Sequence, residues 1–134
     1  MDKLEYIPGD LVKFATNNYT IVNFEENFLH NKICYALIST NSTKTAFVAD
    51  RDILPIPLTT EILEKNGWRT QNRWYYYLDV AEGFISYIGI DFKHKSNKGH
   101  LYVEVDGNNM VEIQYCHELQ HLLFGLGLKH EMEV

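Results

Sequence analysis

Along the first 56 residues, short apolar runs alternate with polar turns about every ten positions. DLVKF (10–14) alternates polar and apolar residues after the turn pair Pro8-Gly9, and Asn17-Asn18 leads into YTIVNF (19–24). The polar stretch EENFLHNK precedes ICYALIS (33–39), NSTK (41–44) precedes TAFVA (45–49), and Asp50-Arg51-Asp52 precedes ILPI (53–56). Alternation at period two places successive side chains on opposite faces of an extended chain, so these runs predict five short strands.

At Ile56-Pro57-Leu58-Thr59 the pattern changes. TTEILEKNGW predicts a helix of about two turns, with Thr59 or Thr60 as N-cap, Glu61 in the first turn and Gly67 at the C-terminal end. Three aromatic strands follow: RWYYYLDV (73–80), GFISYIGIDF (83–92) and HLYVEVDG (100–107). Ala81-Glu82-Gly83 is the tight connection between the first two, and HKSNKG (94–99) is an exposed basic loop. In the third strand Leu101, Val103 and Val105 alternate with Tyr102, Glu104 and Asp106, predicting one buried and one wet face. Asp106-Gly107-Asn108-Asn109 reads as a turn. From Val111 to Phe124 the spacing fits a helix of roughly four turns, capped by Asn108 or Asn109 and ended by Gly125 or Gly127. The expected class is α+β. An SH3-like small barrel or curled sheet covers residues 1–56, and an α-β-β-β-α unit covers 57–134. Pro55 and Pro57 mark the seam, whether the regions are separate or share one continuous core.

Composition narrows the function classes. With 134 residues, 46% of them hydrophobic and 22% charged, the chain can bury a core and is no disordered tail. A net charge of −6 argues against broad nucleic-acid binding, which needs Lys and Arg to neutralise phosphates. MDKLEYIPGD has no apolar core of signal-peptide length, and no run approaches a membrane span. Cys34 and Cys116 each lie in an apolar segment without C-x-x-C spacing. Two buried, reduced thiols in a cytoplasmic protein are the expectation, with a single bridge as the alternative.

The loudest chemical signal is HELQH (117–121), which matches the H-E-x-x-H zinc-protease spelling. Around a helix centred on Leu119, the residues Cys116, Leu123, Leu126, Tyr115 and Leu122 form the core stripe. His117 and His121 fall on the opposite side, one turn apart, where two imidazoles can reach one ion. A hydrolytic zinc site also needs a third protein ligand, an open position for water, and Glu118 as general base. In the pattern H-E-x-x-H-x-x-G-x-x-H, Phe124 stands at the Gly and Gly127 at the third His. His130 and Glu131 come later, beyond two glycines. The favoured expectation is a structural helix with no catalytic residue and no cofactor. The alternative is a zinc-dependent hydrolase with His117, His121 and His130 or Glu131 as ligands and Glu118 as base.

A second candidate is the run Trp74, Tyr75, Tyr76 and Tyr77, flanked by Arg69 and Arg73 and followed by the loop bearing Lys93, His94, Lys95 and Lys98. Bases interleaved with aromatics suit a nucleotide or single-stranded nucleic acid, and the competing reading is a strand with one aromatic face in the core. Trp74, Tyr75, Tyr76, Tyr77 and Lys95 are the candidate binding residues.

The tail YCHELQHLLFGLGLKHEMEV resembles the C-terminal end of small proteins from gut Bacteroides-type bacteria and their phages. The matching positions are Tyr115, His117, Leu119, Gln120, Leu122, Phe124 and Leu126, while Gln and Asn often stand where this chain has Glu118 and His121. IPLTTEILEKNGW is similar to an upstream segment of the same proteins, so the likeness spans roughly a quarter of the chain. The resemblance implies a phage or mobile-element setting and brings no activity with it; together with the acidic, aromatic-rich composition and the missing catalytic set, it points to an accessory protein that acts by binding a protein partner. It also implies that the zinc spelling belongs to this member rather than to the group.

Overall fold

A computed structural model describes residues 6–15, 17–27, 32–39, 45–49, 52–80 and 84–134, with backbone alone for 22–27, 32–37, 39, 45–47 and 49. The chain is α+β and forms two compact units, one of Met1–Ile56 with Tyr115–Met132 and one of Pro57–Gln114.

The first unit carries β1 (Leu11–Phe14), β2 (Asn17–Asn27), β3 (Lys32–Ser39), β4 (Thr45–Ala49) and β5 (Ile53–Pro55), matching the five expected runs. They form one antiparallel sheet in the order β4-β3-β2-β1-β5. No pairing among the described residues joins β4 to β5, so the sheet does not close into a barrel. Asn17 and Asn18 are paired strand residues, opposite Phe14 and Lys13; the turn lies one step earlier, where Ala15 takes a φ of 54°. The expected turn NSTK, Asp50-Arg51 and residues 28–31 lie outside the described residues. Tyr6, Val12, Ile21, Val48 and Ile53 make the core, with Phe14 and Tyr19 packed against it. Leu11 and Val12 are both buried although neighbours in a strand point to opposite faces, so β1 is covered on both sides. One cover is the last helix, α2 (Cys116–Gly125), which lies against β1. The sequence assigns this segment to the second region; the structure packs it with the first.

The second unit begins with α1 (Thr60–Lys65). The Thr59 hydroxyl accepts the Ile62 N–H, and Gly67 takes the left-handed conformation just past the helix end that a side chain would disfavour. Five antiparallel strands follow in the order β10-β9-β8-β7-β6: β6 (Arg69–Thr70), β7 (Tyr75–Asp79), β8 (Tyr87–Asp91), β9 (Leu101–Val105) and β10 (Asn108–Ile113). The expected connection Ala81-Glu82-Gly83 lies outside the described residues.

Two of these strands depart from the sequence reading. β6 is two residues long and leaves no periodic signal. β10 occupies positions expected to start the last helix. Asp106 and Gly107 both have positive φ, 51° and 87°, the conformation of a type I′ hairpin whose twist suits the flanking strands. The chain therefore returns along β9, Val111 opposite Val103 and Ile113 opposite Leu101. A register shift between Asn109 and Val111 breaks the period-two alternation, which is why the run resembled a helix. The last helix starts at Cys116, not Val111, and is ten residues long.

Pairing sorts the sheet residues by face. Tyr76 faces Ile90, Ile90 faces Val103 and Ile88 faces Val105, all on the core side, where Tyr76, Ile88, Ile90 and Val103 are buried. Tyr75, Tyr77, Asp79, Tyr87, Gly89, Tyr102 and Glu104 share the other face. Among the described residues no helix is long and apolar enough to cross a membrane.

Candidate functional site

The HELQH segment occupies the first turns of α2, and its polar side chains are directed at the chain itself. Glu118 Oε1 accepts the N–H of the N-cap residue Tyr115 at 3.0 Å, the reciprocal half of a capping box. Gln120 is fully buried; its Oε1 accepts the Leu11 N–H at 2.9 Å, and its Nε2 donates to the carbonyls of Gly9 (2.9 Å) and His130 (3.0 Å). His121 Nε2 lies 2.7 Å from Oδ2 of the buried Asp10, an oxygen that also accepts the Ile7 N–H at 2.8 Å. Burial pushes the Asp10 carboxyl up, against the Ile7 N–H and His121, which favour the charged form.

His117 departs most from the helical wheel. The wheel turns it outward, whereas the structure leaves it 3% exposed, along with buried Cys116, Leu119, Gln120 and Leu123. Its ring meets Tyr6 edge-on at 4.9 Å, stacks on Tyr115 at 5.8 Å and meets His121 at 5.6 Å. Removal from water, aided by the neighbouring His121, holds its pKa down to about 4. The wheel weighs only apolar residues, so it missed the N-terminal segment that packs across this side.

His117 and His121 are thus adjacent, as the sequence reading expected. The His121 Nε2, however, faces Asp10, and Glu118 is turned to the helix backbone. The His130 ring stands edge-on to Phe124 at 4.9 Å. Among the described residues no group of three or more His, Cys, Asp or Glu is arranged to hold a metal ion. Cys116 is buried with its thiol pushed up to about 12 by desolvation, which makes it a poor nucleophile; the side chain of Cys34 lies outside the described residues.

A clear expectation follows for Glu118. A Gln at this helix position accepts the same N–H, so Glu118→Gln is expected to unfold within about 0.5 kcal/mol of wild type, while Glu118→Ala loses about 1 kcal/mol. Urea titration followed by circular dichroism checks both, and equal losses for the two variants contradict the capping role.

The open face of the second unit is built differently. Tyr75, Tyr77 and Asp79 alternate along β7 with the core residues, and Tyr87 and Gly89 stand opposite Asp79 and Tyr77 on β8. Gly89 is a gap in the strand's row of side chains. The Tyr75 ring crosses it, and a Cβ there would overlap the Tyr75 hydroxyl. That hydroxyl donates to Glu104 Oε2 at 2.7 Å, and burial together with Glu104 raises the Tyr75 pKa well above its ordinary value. The Arg69 guanidinium lies 5.2 Å over the Tyr77 ring and is ion-paired with Asp79. Gln71, Asn72, Tyr75, Tyr77, Asp79 and Tyr87 line a depression of about 370 Å³. Its rim is braced, since Asn72 Oδ1 accepts the N–H groups of Trp74 and Tyr75 and the Thr70 hydroxyl accepts that of Arg73.

The structure separates the five expected binding residues. Tyr75 and Tyr77 share this depression. Tyr76 is in the core and donates its hydroxyl to Glu64 at 2.7 Å. Trp74 packs with His94 at 5.5 Å and lies under the Lys93 ammonium at 5.4 Å, while Lys95 is exposed in its loop and does not line the depression. Asp79, Tyr87, Gly89 and Asn72 were not singled out from sequence. The glycine inside an aromatic strand was the available signal.

Gly89→Ala is expected to displace the Tyr75 ring while the strand persists, because the obstructing atom is the tip of a side chain that can swing away. The loss is the Tyr75–Glu104 hydrogen bond, about 1–2 kcal/mol. A tyrosine ultraviolet titration checks it: the Tyr75 phenol, raised in the wild type, should titrate at lower pH in the variant. Comparison with protein-family models, with curated proteins and with solved structures finds no match for the chain.

Proposed function

We propose that the protein acts by binding a protein partner, without chemistry of its own, and that the tyrosine face of the second unit is the contact surface. One observation carries this reading: Tyr75, Tyr77 and Tyr87 stand half-buried around a depression whose rim residues Gln71, Asn72 and Asp79 are exposed. Large rigid rings with a polar tip give contact area at little cost in side-chain entropy, which is why tyrosine recurs at recognition surfaces. The carboxylates Asp79 and Glu104 on this face disfavour phosphate, and with the net charge of −6 they support a protein partner over nucleic acid. The hydrogen bonds that Glu118, Gln120 and His121 make within the chain support a structural role for that helix, with no metal. An accessory role in a phage or mobile element follows from the resemblance of the C-terminal tail. The strand order β4-β3-β2-β1-β5, in which the fifth strand returns to the first, supports the SH3-like reading of the first sheet. A cytoplasmic setting is in keeping with the buried Cys116 thiol.

The test is partner capture from lysates of the source cells with wild type and with Tyr75→Ala/Tyr87→Ala, each first shown to be folded. The reading expects a protein held by wild type, cross-linked to β7 or β8, and lost with the variant. Capture untouched by the variant would overturn the assignment of the face. Stoichiometric zinc in protein purified without chelator, absent from His117→Ala/His121→Ala, would overturn the non-enzymatic reading.

A further inference from the structure

We propose that the tyrosine-lined depression is a receptor for an organic cation, the guanidinium or ammonium head of a basic segment in the partner protein, and that Arg69 is its internal competitor. The proposal rests on the binding reading above and adds the chemistry of what is bound. Aromatic faces are negative at their centres and attract cations. A guanidinium is weakly hydrated, so it gives up little water on stacking against a ring.

The chain itself shows the chemistry. Arg69 lies on the Tyr77 ring and pairs with Asp79, so an aromatic face and a carboxylate on this surface already hold one guanidinium. Three features make that occupant exchangeable. Arg69 and Asp79 are 64% and 57% exposed, and a solvent-exposed pair is only weakly held. Arg69 sits on β6, a two-residue strand at the edge of its sheet, and is not anchored by neighbouring ladder bonds on its far side. The depression that Tyr77 and Asp79 share with Tyr75, Tyr87, Gln71 and Asn72 measures about 370 Å³, room for a side-chain head and its stem. Charge agrees: beside Asp79 this face carries Glu104, and the residues that line the depression include no Lys, Arg or His.

Displacing an internal competitor costs the incoming cation the stability of the contact it breaks. Removing that competitor must therefore tighten binding, whereas removing the carboxylate they share must weaken it. This sign reversal between two neighbouring substitutions separates competition from mere structural support.

The experiment is an amide NMR titration of the full chain with a short Gly/Arg peptide, its Gly/citrulline counterpart of equal length and no charge, and oligo-dT. The Gly/Arg peptide should shift Tyr75, Tyr77, Asp79 and Tyr87, with the citrulline peptide and oligo-dT silent there. Arg69→Ala should bind the peptide about 2–5-fold tighter, and Asp79→Asn about tenfold weaker. Spectra away from β6, β7 and β8 must match wild type for both variants, which shows that the fold is retained. Equal shifts from the citrulline peptide, weaker or unchanged binding by Arg69→Ala, or saturable binding of oligo-dT on this face would each overturn the proposal. If no peptide binds while Tyr75→Ala/Tyr87→Ala still abolishes partner capture, the cation assignment falls and the contact surface stands; if capture also persists, both fall.

Discussion

Gln120→Leu is expected to lose about 3–5 kcal/mol of stability. The reason is not the volume of the side chain, which leucine nearly matches. Gln120 is the common partner of three backbone groups: the N–H of Leu11 and the carbonyls of Gly9 and His130. Leucine satisfies none of them, and the Leu11 N–H is buried where water cannot replace the lost bond. An orphaned buried group costs about 1–3 kcal/mol, and the two partly buried carbonyls add smaller amounts. Glu at this position keeps the acceptor for Leu11 but loses both donations and places a charge in a dry site, so Gln120→Glu should be no better tolerated. Urea unfolding at neutral pH measures both. A Gln120→Leu loss below about 1 kcal/mol would mean that residues 9–11 find other partners.

Acidification from pH 7 to pH 4 should remove about 3 kcal/mol through His117 alone. In the unfolded chain this imidazole takes up a proton near 6.5; in the folded protein burial keeps it neutral until about 4. Its contribution is therefore complete above 6.5 and is lost as pH falls toward 4, because only the unfolded state accepts the proton in that window. Asp10 acts in the opposite sense. Burial raises its carboxyl above the ordinary 3.8, so at the acid end the folded state gains that proton first and recovers part of the loss. His117→Phe keeps an aromatic ring against Tyr6 and Tyr115 but cannot titrate. Denaturant midpoints from pH 4 to 7 should fall steeply in wild type and stay nearly level in the variant; parallel curves would contradict the assignment.

Much of the first sheet was legible because its strands are short apolar runs set between polar stretches, with Pro8-Gly9 marking the turn before β1. The same holds for α1, where Thr59 and Gly67 punctuate both ends. β10 was not legible because a bulge at Met110 shifts the alternation out of phase, leaving apolar residues at a spacing a helix also satisfies. Asp106-Gly107 carried the stronger message: such a pair predicts a return hairpin, and a return hairpin excludes a helix beginning at Val111.

The candidate sites divide along similar lines. The aromatic run 74–77 stood out in the sequence, but which of its rings face the core depends on strand parity, and parity is fixed only by pairing with β8. Asp10 is 111 residues from His121, and Gln120 is 109 residues from Leu11. No local pattern connects residues so distant, so the partners of HELQH were beyond any reading of its spelling. Within the motif, His121 and Gln120 use their polar groups to join distant segments of chain, while Glu118 serves its own helix.

That joining sets an order of assembly. The segment 57–114 is contiguous and its strands pair with sequence neighbours, so its sheet forms without any residue from the first unit. Residues 6–56 are made first yet finish last, because the helix that covers β1 and satisfies Leu11 arrives only with residues 116–125. During synthesis the early strands must wait with a bare apolar face. Until residues 116–125 leave the ribosome the first unit is unfinished, the state in which the protein is most open to chaperones and to aggregation.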